Sequence, residues 1–146
     1  MIGLMLAAAA AAAQPAVTIG DFRMHLFYRH SGLLSEDISP PREFTGWNTV
    51  IGEGDAEEPA EDLLVVVPTR VAGGGETFVE TPLRIVARGR DNRVIANRNV
   101  ALLSSASGDS YSPVWLQDIG CEGEISVTAT FGDQTRSESL SLECGE

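Results

Sequence analysis

Two cysteines, Cys121 and Cys144, are the only ones in the chain, and they flank a segment with the pattern of a β-hairpin. Between them lie two strand-like runs, residues 124–131 and 134–143, separated by Gly132-Asp133. A Gly-Asp dipeptide between two β-rich runs is typical of a two-residue turn joining antiparallel strands. The sequence therefore predicts a hairpin whose open end carries both cysteines.

The predicted turn also determines which residues of the hairpin face each other. Counting outward from it, Ile125 pairs with Leu140, and Cys121 pairs with Cys144. Directly opposed residues of an antiparallel pair have Cα atoms about 4.5–5.5 Å apart, a separation that a disulfide bridges. Since the close C-x-x-C spacing of thiol oxidoreductases is absent, we interpret the pair as a structural disulfide.

The N-terminal segment predicts export. Its apolar run ends in small residues, and Ala11-Ala12-Ala13 fits the A-x-A pattern of a signal-peptidase site, although no Lys or Arg precedes the run. The run is shorter than the ~20 residues of a membrane-spanning helix. We expect residues 1–13 to be a signal peptide, and a periplasmic or secreted mature chain that begins near Gln14 and does not insert into the membrane. An oxidising compartment also suits one disulfide.

The charge balance restricts the partners. The chain has 21 Asp and Glu against 10 Lys and Arg, which gives a formal net charge of -11. Such a chain repels nucleic acid and anionic lipid surfaces, so we expect neither as a partner.

The rest of the mature chain alternates short β-rich runs with turn signals, and no stretch has a sustained helical pattern. In the first run, which alternates over part of its length, Phe22, Met24, Leu26 and Tyr28 lie on one face and Arg23, His25 and Arg29 on the other, which favours a half-buried strand over a helix. Strands at this spacing are typical of a sandwich or barrel. The runs predicted as strands before the cysteine hairpin are residues 17–29, 44–51, 63–71, 77–87 and 94–103, and the predicted connections are residues 31–42, 52–62, 73–75, 91–92 and 104–113.

Residues 118–143 resemble the final two strands of bacterial immunoglobulin-like domains. The resemblance rests on Asp118-Ile119-Gly120, the run from Gly123 to Ala129, the Gly-Asp turn and the Thr/Ser-rich last strand. Two features depart from the pattern: the disulfide joins the ends of one hairpin, and Ile125 stands where a corner Tyr is expected. The resemblance implies an all-β fold and no site residues.

We therefore expect a single immunoglobulin-like antiparallel β-sandwich after the signal peptide. It would comprise residues 14–146, with residues 14–43 as N-terminal strand and connection and residues 44–146 as the sandwich body.

Few residues suggest chemistry. The acidic loop contains Glu53, Asp55 and Glu57, oxygen ligands of the kind calcium prefers, but the spacing lacks the D-x-[DN]-x-[DN]-G motif. His25 points away from the apolar face of its predicted strand, and His30 lies in the following turn, so the two are not expected to converge. There is no G-x-S-x-G elbow and no phosphate-binding loop. We expect no catalytic residue, metal or cofactor.

The aromatic residues are the remaining candidates for a binding platform. Trp47 and Trp115 have the apolar neighbours Val50, Val114 and Leu116, which predicts core positions for both. Tyr111, in a Ser- and Gly-rich stretch, is expected to be exposed.

The resulting hypothesis is a non-catalytic exported binding or structural module with a protein partner. Its surface would be a free sheet edge or the loops at residues 53–62 and 104–112. A calcium-dependent adhesion or carbohydrate-binding domain, and a small periplasmic enzyme with an unrecognised site, remain alternatives.

Overall fold

The computed structural model describes residues 15–144, in which eight β-strands form two antiparallel sheets. This confirms an all-β sandwich. The only helical elements in this part of the chain are two short 3-10 turns. The predicted signal peptide, residues 1–13, lies outside the described residues. The strands are β1 (Val17–Ile19), β2 (Arg23–Phe27), β3 (Asp62–Val71), β4 (Phe78–Arg88), β5 (Val94–Leu103), β6 (Asp109–Leu116), β7 (Gly123–Phe131) and β8 (Gln134–Leu142).

The first sheet is built around β3, which pairs with β6 on one side and with β1 and β2 on the other. The sequence predicts one strand over residues 17–29, whereas the structure divides it into β1 and β2. Between them, Gly20, Asp21 and Phe22 lie opposite only Val67 and Pro68. The Pro68 carbonyl accepts a hydrogen bond from the Gly20 N–H at 2.9 Å. Because Pro68 has no N–H to donate on that same side, the edge strand bulges there.

The second sheet has the order β5-β4-β7-β8. The β7–β8 hairpin has the predicted register, with Ile125 opposite Leu140. Cys121 and Cys144 form the predicted disulfide, and their Cα atoms are 4.9 Å apart. The β4–β5 hairpin also forms, and its turn places Asp91 at a φ of 55°.

The core lies between the two sheets, where alternate residues of every long strand point inward. In β3 the odd-numbered residues Leu63, Val65 and Val67 are fully buried, while their even-numbered neighbours face outward. Ile85 of β4 and Val127 of β7 are fully buried from the opposite sheet. Burial of each such side chain contributes about 1.5–3 kcal/mol, so this alternation determines the two-layer arrangement.

The predicted strand at residues 44–51 is wrong. The segment forms a loop with one 3-10 turn, Thr49–Ile51, preceded by Asn48 at a φ of 51°. Gly46 packs so closely on β8 that an added Cβ would collide with the Ser141 carbonyl. The Asn48 N–H donates to the Glu143 carbonyl at 2.6 Å, and the buried Thr49 hydroxyl donates to the Gly120 carbonyl at 3.2 Å. The loop therefore closes the sandwich beside the disulfide.

The predicted connection at residues 104–113 is too long. It ends at Gly108, whose φ of 90° makes the turn, and β6 begins at Asp109. Tyr111 and Trp115 therefore lie on the same strand.

Candidate binding surface

The outer surface of the first sheet carries large apolar side chains, and we call it the aromatic face. Tyr111 is 54% exposed and Trp115 is 47% exposed. Since side chains alternate along a strand, residues outside the core on β2, β3 and β6 all lie on this one surface. It comprises Phe27 of β2, Leu64, Val66 and Pro68 of β3, and Tyr111, Pro113 and Trp115 of β6.

Contacts across the width of the sheet hold the aromatic rings. Phe27 and Trp115 meet edge to face, with ring centroids 6.0 Å apart and an interplanar angle of 81°. The Arg23 guanidinium lies 5.4 Å from the centroid of the Tyr111 ring, in a cation–π arrangement. Leu34 bridges to Phe27 and is 44% exposed, which extends the apolar surface beyond the sheet edge. The rings are thus held by their neighbours and still face solvent.

A shallow cavity of about 330 Å³ lies beside Tyr111. Pro68 and Gly20 line it along with the Tyr111 ring, and Arg70 and Asp109 are its charged lining residues. The closest approach of the last two side chains is 3.8 Å. The cavity is of a size to admit one large side chain.

The aromatic face is close to neutral, although the whole chain is strongly acidic. Arg70 is balanced by Asp109, and the positive charge of Arg23 is offset by the carboxylate of Asp62 elsewhere on the face. Asp62 accepts a hydrogen bond from the Asp118 N–H at 3.1 Å. Most carboxylates lie elsewhere, so this surface repels an approaching acidic molecule less than the rest does.

The prediction that both tryptophans are buried is wrong. Trp47 and Trp115 are each 47% exposed. Val114 and Leu116 point into the core, so Trp115 between them must point outward. Ser112, Val114 and Leu116 occupy alternate positions of β6 and are buried. In the sequence, this two-residue alternation is the signal that places Trp115 on the opposite, outward side of the strand. Tyr111 is exposed, as predicted.

The acidic loop uses its carboxylates locally. Asp55 accepts the Thr45 N–H at 2.6 Å, Glu58 accepts the Ser31 N–H at 2.9 Å, and Glu61 forms an ion pair with Arg29. In residues 15–144, no group of three or more His, Cys, Asp or Glu side chains is arranged to hold a metal ion. The absence of a metal site stays a prediction.

The two histidines lie in different settings. His25 is on β2, where its Nδ1 lies 2.9 Å from the Ser35 carbonyl oxygen. His30 is exposed in the turn that follows.

Residues 33–38, which we call the edge strap, cover the outer edge of β2. The Leu26 carbonyl accepts the Ser35 N–H at 2.9 Å, and the Met24 N–H donates to the Asp37 carboxylate at 2.9 Å. Burial raises the pKa of Asp37, but hydrogen bonds from Met24 and Ser39 outweigh it and hold the pKa below its ordinary value. Asp37 therefore acts as a structural carboxylate.

The remaining sheet edges are also protected. Gln134 mimics a strand beside β1, accepting the Ile19 N–H at 2.6 Å and donating to the Val17 carbonyl at 3.2 Å. On β8, Arg136 and Glu138 occupy inward-facing positions at the edge. Arg98, an inward-facing charge on β5, donates to the Pro113 carbonyl of β6 at 2.6 Å. Inward charges and edge prolines are devices that prevent strand addition.

A second cavity, about 920 Å³, is an open groove between the bulged edge and β8. Several of its charged side chains form ion pairs: Arg136 pairs with Asp21 and Glu138, and Arg42 pairs with Glu36, although the buried Nε of Arg136 has no hydrogen-bond partner. The groove offers less free binding capacity than the aromatic face.

None of the helical turns in residues 15–144 is long and apolar enough to cross a membrane. No model of a known protein family matches the chain, and no curated protein matches it.

Proposed function

We propose that this chain is an exported, non-catalytic immunoglobulin-like module that binds a protein partner through the aromatic face. The observation that carries the proposal is the cluster of exposed Tyr111 and Trp115 with Phe27 and Leu34 on one sheet surface. Contiguous exposed apolar surface on a small domain marks an interaction site more often than chance packing.

The strand order supports the immunoglobulin-like assignment. With β1 and β2 counted as one interrupted edge strand, strands one, two and five form the first sheet, and four, three, six and seven form the second. Immunoglobulin constant-type domains likewise separate strands one, two and five from strands three, six and seven. Here the fourth strand, β5, joins the second sheet instead of the first.

The composition of the aromatic face favours a protein over a sugar. Trp, Tyr and Arg are the residues most enriched at the energetic centres of protein interfaces, and Trp115, Tyr111 and Arg23 lie together here. The aliphatic side chains of Leu64 and Val66 between them would gain little from hydrated sugar hydroxyls. The protected edges favour the face over the free sheet edge that the sequence suggested.

The non-catalytic part of the proposal is supported by how the candidate groups are used. His25, Asp37 and Asp55 each lie within hydrogen-bonding distance of backbone atoms of the fold, and Glu61 is held by Arg29. A catalytic acid or base needs freedom to exchange its proton with a substrate. Export is supported by the disulfide together with the predicted signal peptide.

The test is site-specific photo-crosslinking in the native cell envelope. A photo-reactive phenylalanine analogue replaces Tyr111 in one variant and Thr128, on the outer surface of the second sheet, in the matched control. We expect a discrete protein adduct from position 111 and none from position 128. Equal labelling at both positions, or none at 111, would overturn the proposal.

A further inference from the structure

We propose that the partner of the aromatic face is a second copy of this chain, bound face to face about a two-fold axis that runs along the Arg23–Val66–Pro113 row. This inference rests on the proposed function, because it names the occupant of the same surface. It follows from the positions of Trp115, the cavity at Tyr111 and the charged residues of β3 on either side of that row.

The register divides the face into rows that run across the strands. Val66 lies between Arg23 and Pro113 in the central row. Trp115 and Leu64 form the next row on one side of the central row. Tyr111 and Pro68 form the next row on its other side. Trp115 and the cavity at Tyr111 are therefore equidistant from the central row.

A two-fold axis in the plane of the face, along the central row, turns one copy over onto the other. It lays β6 over β6 of the partner copy with the rows reversed. Trp115 then lies over Tyr111 of the other copy, at the rim of the cavity that Tyr111, Pro68 and Gly20 line, and the same contact occurs a second time. A projecting indole and a cavity beside an aromatic ring on the same face thus come together when the face meets itself.

Two charges on β3 match under the same rotation, whereas Arg23, which lies in the central row, comes opposite the Arg23 of the other copy. Arg70 lies on β3 two rows from Val66, and Asp62 lies on β3 two rows away in the other direction. The rotation places each Arg70 opposite the Asp62 of the other copy. Two copies that carry -11 each would meet at a surface that is close to neutral and that gains two opposite-charge contacts.

The size of the face indicates a reversible dimer. The paired length of β3 with β6 is eight residues, which corresponds to about 26 Å, and three strands are about 14 Å wide. The resulting ~400 Å² on each copy is roughly half of the ~800 Å² that a standard stable interface buries on each partner. We therefore expect a dissociation constant on the order of 1–100 μM, so that dilution separates the copies.

The test is analytical ultracentrifugation of the full chain from about 1 μM to 1 mM. We expect a concentration-dependent monomer–dimer equilibrium. Trp115→Ala, Arg70→Asp and Asp62→Arg should each weaken it by about tenfold or more, and the double exchange of Arg70→Asp with Asp62→Arg should restore most of the loss. Asp62→Asn keeps an acceptor for the Asp118 N–H and removes only the charge. Arg84→Asp, on the second sheet, is the matched control and should have no effect. Thermal melts check that every variant is folded.

Each outcome decides the question. A monomer over the whole range, together with an adduct to a different polypeptide at position 111, overturns the dimer and leaves the proposed function standing. A dimer that Trp115→Ala and both charge changes leave intact overturns the geometry. Failure of the folded double exchange to recover association overturns the Arg70–Asp62 pairing. A monomer with no adduct overturns both proposals.

Discussion

The two outer faces of the sandwich follow the same alternation, but the outward side chains of β6 differ in chemistry from those of β7 and β8. On β4 and β5 the second sheet also exposes apolar residues, Phe78 (62%) and Leu103 (67%). On the second sheet the outward residues of β7 and β8 are mainly Ser and Thr, and their hydroxyls bond across the strands, as between Thr128 and Ser137 at 2.8 Å. On the first sheet the corresponding positions carry Tyr111, Pro113 and Trp115. Hydroxyl ladders satisfy a solvated sheet, whereas exposed aromatic rings add nothing to solubility.

The inner faces explain why the contrast is informative. Both sheets bury aliphatic residues of similar size, such as Leu63 in the first and Ile125 in the second, so the requirements of folding are alike on the two sides. The difference is confined to residues that folding does not need to be apolar. The proposed binding role of the aromatic face would account for that difference.

The largest expected effect is a difference in stability between substitutions on the inner and outer sides of the first sheet. Leu63→Ala removes a fully buried side chain and should lower the free energy of unfolding by about 2–5 kcal/mol. Trp115→Ala removes a half-exposed ring and its contact with Phe27, and should lower it by about 1 kcal/mol. Urea denaturation at low protein concentration measures both. If Trp115→Ala lowered the free energy of unfolding as much as Leu63→Ala does, the aromatic face would be part of the core, and the contrast between the two outer faces would not hold.

The disulfide provides the next test, on the second sheet. Replacing Cys121 and Cys144 by Ser should lower stability by about 3 kcal/mol, because the cross-link restricts the unfolded chain. Crosslinking at Tyr111 should persist in the folded variant, because the disulfide lies in the other sheet. The measurement is a thermal melt with and without reductant. Labelling of two free thiols in the native protein would show that the bond is absent.

The smallest expected effect concerns the edge strap. The pKa of Asp37 is lowered in the folded state, so its ionised form stabilises the fold above the unfolded value of 3.8, and this contribution is lost as pH falls through the folded value. Hydrogen exchange of the Met24 N–H, which donates to Asp37, should accelerate in acid relative to Val127. Asp37→Asn should reduce that difference. Equal pH dependence in the variant and the wild type would contradict this role.

Local patterns allowed much of the fold to be predicted. The cysteine hairpin follows from its turn and from residues close in the chain, and the β4–β5 hairpin follows from Asp91-Asn92. The strand prediction for residues 44–51 is wrong because it rests on the aromatic and β-branched residues of the segment, which favour a strand. Its actual conformation depends on a left-handed Asn48 and on the close contact of Gly46 with β8, far away in sequence.

The aromatic face could not be predicted as a site. It brings together β2, β3 and β6, which lie far apart in the chain, so no motif contains it. The apolar character of its neighbours predicts a core position for Trp115, whereas the alternation of buried Val114 and Leu116 places Trp115 outside the core. A pairing order of strands is a long-range property that local periodicity does not encode.

Trp115 and Trp47 together allow the most direct measurement of the central claim, because both are 47% exposed and only Trp115 lies on the aromatic face. Oxidative footprinting of the wild-type protein, read by mass spectrometry at about 1 μM and at about 1 mM, compares them within one molecule. We predict that Trp115 becomes several-fold less reactive at the higher concentration, while the reactivity of Trp47 is unchanged. Equal reactivity of Trp115 at both concentrations, or equal protection of the two tryptophans, would contradict self-association through the aromatic face.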